Sequence, residues 1–170
     1  PSNMDGQKEI LRKMSSRLKH RGPDSNGIFY DQSFNVGLAH RRLAIIDTSS
    51  SGHQPMESEN SRFVISFNGE IYNHQLIRKE LLNLNKNISW RGSSDTETLL
   101  KAIDHWGLQD TLKKIEGMFA FAIWDKKKKD LYLVRDRLGE KPLYYGFQKN
   151  SFLFGSELKA IIHHPSFIGK

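Results

Sequence analysis

Cysteine is absent from the 170 residues of this chain. The chain can therefore form neither disulfides nor thiolate metal sites, which excludes disulfide-framework domains and zinc fingers. Long apolar runs are absent as well, since none approaches the roughly 20 residues that a membrane helix needs. The polar N-terminus also lacks the apolar core of a signal peptide. We therefore expect a cytoplasmic protein that makes no contact with a membrane.

Two further absences concern nucleotides and nucleic acids. No Gly-x-Gly-x-x-Gly follows a predicted strand, which argues against a Rossmann domain. The net charge is +7, yet neither a zinc-finger spacing nor an aromatic–basic motif for single strands accompanies it. The one dense basic run, at 126–129, lies between two apolar segments and predicts an exposed hairpin turn. We expect no nucleic-acid partner, and the spacing of His20, His40 and His53 indicates no metal site.

The length of 170 residues suits a single domain over residues 1–170, and the pattern of predicted elements indicates an α+β fold. The predicted strands form two groups separated by helices, which favours mostly antiparallel sheet over alternating βαβ units. The segment at 43–46 is wholly apolar and is expected to be a strand buried on both faces. Helices are predicted at 5–18, 71–84, 95–106, 108–115 and 157–162, and strands at 27–30, 36–40, 43–46, 63–67, 118–124, 130–135, 143–147 and 151–155.

The dipeptide Asn68-Gly69 lies at the end of the clearest predicted strand. An Asn side chain beside a Gly backbone N–H can offer two hydrogen-bond donors to one developing oxyanion. Asn-Gly is also the commonest hairpin-turn dipeptide, and local sequence alone favours that alternative. The next segment is predicted as helix rather than as a returning strand, which weakens the turn interpretation.

Three charged features are candidates for substrate contacts. Arg42 could hold a carboxylate through two parallel hydrogen bonds, although an ordinary surface ion pair is the simpler interpretation. Asp95 could bind an ammonium group, but taken alone it is better interpreted as a cap of its helix, a role that Ser94 also suits. The charged stretch at 135–142 is either a solvated loop or one fixed by internal salt bridges. These residues indicate an anionic-substrate site and no more.

Taken together and in order, eight motifs resemble the N-terminal domain of the asparagine synthetases and their class II glutamine amidotransferase relatives. Any one motif is weak, but the ordered set covers residues from about 10 to 162 and is specific. The motifs are His20-Arg21-Gly22-Pro23-Asp24, Arg42-Leu43-Ala44-Ile45-Ile46-Asp47, Gly52-His53-Gln54-Pro55-Met56, Phe67-Asn68-Gly69-Glu70-Ile71-Tyr72-Asn73, Ser94-Asp95-Thr96-Glu97, Gly117-Met118-Phe119-Ala120-Phe121-Ala122, Arg135-Asp136-Arg137-Leu138-Gly139-Glu140-Lys141-Pro142-Leu143 and Phe154-Gly155-Ser156-Glu157.

This resemblance implies an N-terminal nucleophile (Ntn) hydrolase fold, a four-layer αββα sandwich with two mainly antiparallel sheets. It also implies glutamine hydrolysis, in which an N-terminal cysteine thiol attacks the side-chain amide and its own α-amino group acts as the base. The products are a glutamyl thioester and ammonia. By motif position, the Asn68 side chain and the Gly69 backbone N–H would form the oxyanion hole.

The same resemblance assigns the residues that would bind glutamine. Arg42 would pair with the α-carboxylate, and backbone groups around Leu43 and Ile45 would line the pocket. Asp95 and Glu70 would hold the α-ammonium. Binding both charged ends would anchor the substrate while its amide carbon is presented to the thiol.

One departure from the family pattern is serious, because members begin with a cysteine-bearing apolar strand and this sequence has no cysteine. We expect that the chain lacks this strand and does not hydrolyse glutamine as it stands. The domain itself needs no cofactor, whereas the synthetase domain that follows in the family binds ATP and magnesium and amidates aspartate. A non-catalytic glutamine-binding or regulatory module, and the glutaminase domain of another class II amidotransferase, remain as alternatives. The sequence is also compatible with a homodimer.

Overall fold

The computed structural model describes residues 4–169, and within them eight strands form three antiparallel sheets. An α+β fold with antiparallel sheets is thereby confirmed. The helices are α1 (Met4–Ser16), α2 (His74–Leu84), α3 (Asp95–Trp106), α4 (Leu108–Lys114) and α5 (Leu158–Ile161). The strands are β1 (Ser25–Asp31), β2 (Val36–Arg42), β3 (Met56–Glu57), β4 (Phe63–Ile71), β5 (Gly117–Asp125), β6 (Asp130–Arg135), β7 (Tyr144–Gln148) and β8 (Ser151–Gly155). Short 3₁₀ turns occur at Lys19–Arg21 and Ser50–Gly52.

The largest sheet has the strand order β3-β4-β5-β6 and is antiparallel throughout. Side chains alternate between its two faces, as they must in a strand. On β5, Phe119, Phe121 and Ile123 belong to the main core cluster, which also contains buried leucines of α3. Their neighbours Ala120 and Ala122 are small and line a cavity. This alternation of large and small residues leaves open space over one face of the sheet.

Two two-stranded sheets accompany the larger one, β1 with β2 and β7 with β8. Helix α1 crosses near them, and the apolar residues Ile10, Leu11, Met14 and Leu18 all line the same cavity. The lysines at 126–129 form the turn between β5 and β6, as predicted. Within residues 4–169, every helix is too short or too polar to span a bilayer.

The predicted strand at 43–46 is wrong. Strand β2 ends at Arg42, and the chain continues as irregular structure in which Leu43 is 55% exposed and Ile45 is 72% exposed. The side chain of Asp24 accepts a hydrogen bond from the Ala44 backbone N–H at 2.8 Å. This bond replaces a strand neighbour for that N–H group, so an apolar run lies at the surface.

The predicted helix at 71–84 begins three residues later than expected, at His74. Ile71 is buried and still pairs with Gly117 in the sheet. The Asn73 side chain then bonds to the Glu116 backbone N–H at 3.0 Å and to the Lys114 carbonyl at 2.9 Å. Pairing with a distant strand therefore determines where this helix begins.

Candidate functional site

The Asn-Gly pair lies inside strand β4, where Asn68 pairs with Ala120 and Gly69 with Phe119. The hairpin-turn interpretation of this dipeptide is therefore wrong. A side chain at residue 69 has no room, because an added Cβ would lie 2.2 Å from the Met118 carbonyl oxygen. The Asn68 Nδ2 atom is buried and has no hydrogen-bond partner among the described residues. A buried donor without a partner costs free energy, so its presence points to a ligand or reacting group.

A cavity of about 580 Å³ lies beside Asn68. That volume is within the range of small-molecule sites in proteins. The large sheet contributes small or polar residues to its lining, including Ser66, Asn68, Ala120 and Ala122. Residues of α1, β2 and β8 form much of the rest, together with residues of the loops and turns near them. The unpartnered Asn68 amide is thus next to space that a ligand or a further chain segment can fill.

His40 lines the same cavity, and its Nδ1 atom is 3.4 Å from the Ser66 hydroxyl. Burial is the main cause that lowers the pKa of His40 to about 4, with the nearby charges of Arg42 and His53 adding to it. The imidazole is therefore neutral at neutral pH. His20 instead bonds to Glu157 at 3.0 Å, and residues 4–169 contain no cluster of metal-ligating side chains.

The Arg42 guanidinium donates hydrogen bonds to the carbonyls of Ser49, at 2.7 Å, and of Asp47. Within the described residues no carboxylate pairs with it, so the surface ion-pair interpretation is wrong for this part of the chain. Gly52 packs against the guanidinium so closely that an added Cβ would lie 2.0 Å from Nη2. Of the neighbouring pocket candidates, Leu43 and Ile45 have exposed side chains.

Asp95 lies at the first position of α3, and Ser94 is the residue that caps this helix, accepting from the Glu97 N–H at 3.1 Å. The capping interpretation of Asp95 is therefore wrong. Its buried carboxylate accepts from the Thr96 N–H and, across to strand β4, from the Ile71 N–H, both at 2.9 Å. Burial raises the pKa of Asp95, while the bond from Ile71 opposes that rise. Glu70 is half-buried on the same end of β4.

The charged stretch at 135–142 is held by side-chain bonds to its backbone. Asp136 accepts from the N–H groups of Phe119, Leu138, Glu140 and Lys141 at 2.9–3.2 Å. Burial alone would raise the pKa of Asp136, but these four donors outweigh it and lower that pKa to about 2. Arg135 donates to the carbonyls of the same loop. Neither a freely solvated loop nor internal salt bridges describes this arrangement.

Sequence reasoning missed two residues that organise the site. Asp47 lies in the Arg42–Asp47 motif but received no role, and it joins the Arg42 loop to the segment before α3. Gln54 joins β4 to α3, accepting from the Phe67 N–H at 2.7 Å and donating to the Thr96 hydroxyl at 3.2 Å. Their membership of the quoted motifs is the only signal in the sequence that could have pointed to them.

The chain belongs to the glutamine amidotransferase domain family, whose model matches residues 2–169. It is 42% identical to a putative glutamine-hydrolysing asparagine synthetase of Methanocaldococcus jannaschii, over 91% of this chain and 32% of that protein. It is 40% identical to asparagine synthetase 3 of Bacillus subtilis, over 94% of this chain and 25% of the relative. Amidase chry2 of Gibberella zeae is 35% identical over 91% of this chain and 23% of its own length. The chain thus spans a third or less of the length of these relatives.

Proposed function

We propose that this chain is the glutamine-binding domain of a glutamine-hydrolysing asparagine synthetase. The observation that carries the proposal is the buried Asn68 Nδ2 atom, which has no hydrogen-bond partner within residues 4–169 and lies beside the Gly69 backbone and a cavity. Two donors at one point are what the oxyanion of an attacked amide requires. The 170 residues contain no cysteine, so the attacking thiol would have to come from outside them.

In the proposed reaction a thiolate attacks the side-chain amide carbon of glutamine. The carbonyl oxygen becomes an oxyanion that accepts hydrogen bonds from Asn68 Nδ2 and the Gly69 N–H. Collapse of this intermediate breaks the C–N bond, and the leaving nitrogen takes a proton to depart as ammonia. The resulting thioester is hydrolysed by water, which releases glutamate and restores the thiol.

Charge complementarity would select an amino acid over a simple amide. The Arg42 guanidinium has five N–H donors, and it donates to the two loop carbonyls of Asp47 and Ser49. Its other donors would bind the α-carboxylate of glutamine. Asp95 and Glu70 would hold the α-ammonium, and the backbone at Leu43 and Ile45 would line the pocket between them. The buried position of Asp95 favours such a partner, because an ammonium group would offset the cost of its desolvation.

The shape of the cavity supports a further proposal about the fold, that the layers form a four-layer αββα sandwich. All five residues of β8 and five of the seven in β2 line the cavity, so both strands present an edge to it. An apolar strand inserted between them would hydrogen-bond to both edges and join the two small sheets into one. That joined sheet would lie over β4 and β5 and bring the first residue of the strand towards Asn68.

Beyond this domain, we propose a synthetase partner that binds ATP and magnesium and uses the ammonia to amidate aspartate, in the cytoplasm. The greater length of the relatives supports a further domain. A non-catalytic glutamine-binding module, which needs no cysteine, is the second candidate. The glutaminase domain of another class II amidotransferase is the third candidate.

Replacing Asn68 tests the oxyanion role. In protein that carries the N-terminal cysteine strand, Asn68→Ala should lower the turnover of glutamine by about 100-fold or more, because one donor to the oxyanion is lost. The Michaelis constant should change little, since the donor acts mainly in the transition state. Turnover is measured as glutamate release in a steady-state assay.

Asn73→Ala is the matched control for this variant. The Asn73 amide bonds to backbone groups at Lys114 and Glu116, so its loss should reduce stability and leave turnover near normal. Equal turnover in the Asn68 variant and the parent would refute the oxyanion role. Calorimetric titration of the 170-residue chain with glutamine tests the second candidate, which requires binding without hydrolysis.

A further inference from the structure

We propose that Asp47 is a positioning residue of the glutamine site, setting the separation between Arg42 and Asp95. It would do so by tying the loop that holds Arg42 to the start of α3, which carries Asp95. The inference rests on the proposed function, because only that function gives Arg42 and Asp95 opposite ends of one ligand to bind. Asp47 itself would not contact the substrate.

The position of Arg42 depends on the loop that follows it. Two of its donors are used by the carbonyls of Asp47 and Ser49. Gly52 closes the loop around the guanidinium and leaves no room for a side chain. Any movement of this loop would therefore move the guanidinium with it.

The carboxylate of Asp47 divides its two oxygens between two elements. Its Oδ1 atom accepts from the Ser49 N–H at 2.8 Å and the Ser49 hydroxyl at 2.5 Å, within the Arg42 loop. Its Oδ2 atom accepts from the Ser93 N–H at 2.8 Å, in the segment that leads into α3. The residue is only 6% exposed, and an added Cβ at Gly92 would lie 2.3 Å from Oδ2. Each oxygen thus holds one side of the site.

The segment on the α3 side is held by hydrogen bonds that do not involve Asp47. Arg78 donates to the carbonyls of Gly92 and Ser94, both at 2.9 Å. Buried Glu97 accepts from the N–H groups of Arg91 and Gly92. Asp47 therefore binds to a fixed point two residues before Asp95. Gln54 makes a second link to α3 through Thr96. Loss of the Asp47 side chain should therefore displace Arg42 relative to Asp95 without unfolding the site.

The charge state of Asp47 suits this role. The hydrogen bond from the Ser49 hydroxyl is the main cause that lowers the pKa of Asp47; burial opposes it, and the Ser93 and Ser49 N–H groups add to it. The ionised carboxylate only accepts, and it meets three donors, two on Ser49 and one on Ser93. In Asp47→Asn the amide NH₂ must face either the Ser93 N–H or the Ser49 N–H, so the link on that side is weakened while the side chain keeps its shape.

Calorimetric titration of the 170-residue chain with L-glutamine tests the inference. Asp47→Asn should raise the dissociation constant about 10-fold or more, as expected when a charge-assisted hydrogen bond is lost. The double variant Asp47→Asn/Arg42→Ala should bind no more weakly than Arg42→Ala alone, because Asp47 acts through Arg42. If Asp47→Asn does not fold, Ser49→Ala removes only the hydroxyl donor and should raise the dissociation constant less, about threefold.

Asp125→Asn is the matched control. Asp125 is 2% exposed, accepts from the N–H groups of Lys127 and Lys128, and pairs with Arg62 at 2.7 Å. Its loss should lower the melting temperature as much as Asp47→Asn does and leave glutamine affinity unchanged. Equal affinity losses in the two variants, or additive losses in the double variant, would overturn the positioning role. No binding of glutamine by the unchanged chain would overturn the proposed function and this inference together, whereas normal binding by Asp47→Asn would overturn the inference alone.

Discussion

At the residue scale, the candidate site depends on glycines that let backbone and side chains approach one another closely. Gly52 makes room for the Arg42 guanidinium, and Gly92 makes room for the Asp47 carboxylate. Gly69 allows β4 to pass within contact of Met118, and its N–H is one of the two proposed oxyanion donors. A Cβ at any of these positions would push apart groups that the proposed chemistry needs together.

Gly69→Ala should therefore destabilise the protein by about 1–3 kcal/mol, the usual cost of overpacking a site that has no room for extra atoms. Gly146→Ala is the control, because it too lies in a strand but an added Cβ there has nothing within 4 Å. The control should be neutral or slightly stabilising, by up to about 1 kcal/mol, since alanine restricts the unfolded chain. Urea unfolding followed by circular dichroism measures both changes. Equal stabilities for the two variants would contradict the close approach at residue 69.

At the element scale, the start of α3 is where most links of the site converge. Ser94 caps the helix, Asp95 reaches the end of β4, and Glu97 binds the preceding turn. Arg78 from α2 donates to the carbonyls of Gly92 and Ser94. The helix therefore connects the sheet that carries Asn68 with the loop that holds Arg42.

Ser94→Ala should cost about 1 kcal/mol of unfolding free energy, because the Glu97 N–H at the buried helix start loses its acceptor. The comparison variant is Ser16→Ala at the end of α1, where the hydroxyl donates to the Lys13 carbonyl in an exposed position. That change should stay within about 0.5 kcal/mol. Chemical denaturation curves of the two variants give the difference, and a Ser94 variant as stable as the Ser16 variant would show that the cap contributes nothing.

At the scale of the whole molecule, acid stability depends on carboxylates with many donors. The pKa of Asp136 falls from an ordinary 3.8 to about 2 because four backbone donors outweigh the effect of burial. The pKa of Glu157 falls from 4.5 to about 2, chiefly through its bond with Lys159, against burial and with help from His20 and Arg21. A group whose pKa is lower in the folded state stabilises the fold above its unfolded pKa. That stabilisation is lost as the pH falls towards the folded value.

We therefore expect the unfolding free energy to fall between about pH 4.5 and pH 2, where both carboxylates take up protons in the unfolded chain first. Asp136→Asn should lower the unfolding free energy at pH 7 by about 1–3 kcal/mol. It should also remove the part of the pH dependence of that free energy that comes from residue 136. Glu157→Gln should remove the part of the pH dependence that comes from residue 157, which begins at a higher pH because the ordinary pKa of Glu is 4.5. Unfolding curves measured at a series of pH values test this, and curves for the variants that run parallel to the parent would contradict it.

Local patterns in the sequence were enough for most of the elements and for the family. The predicted helix at 95–106 and the strands at 130–135 and 151–155 match α3, β6 and β8 in their bounds. Apolar spacing predicts the bounds of these three elements because each element buries one face and has residues at its ends that favour its start and its end. The ordered motifs likewise pointed to the amidotransferase family, which the match over residues 2–169 confirms.

Tertiary contacts determined the features of the fold and the site that local sequence patterns did not predict. Pairing of Ile71 with Gly117 extended β4 through the Asn-Gly dipeptide, so what local sequence favours as a turn became part of a strand. The Asp24 side chain accepts a hydrogen bond from the Ala44 N–H and holds the apolar segment after Arg42 at the surface, where no strand neighbour exists among the described residues. Asp47 and Asp95 each accept a hydrogen bond from a residue far away in the chain, Ser93 and Ile71 respectively. Periodicity reports which face of an element is apolar, but only the packed structure determines which polar groups meet.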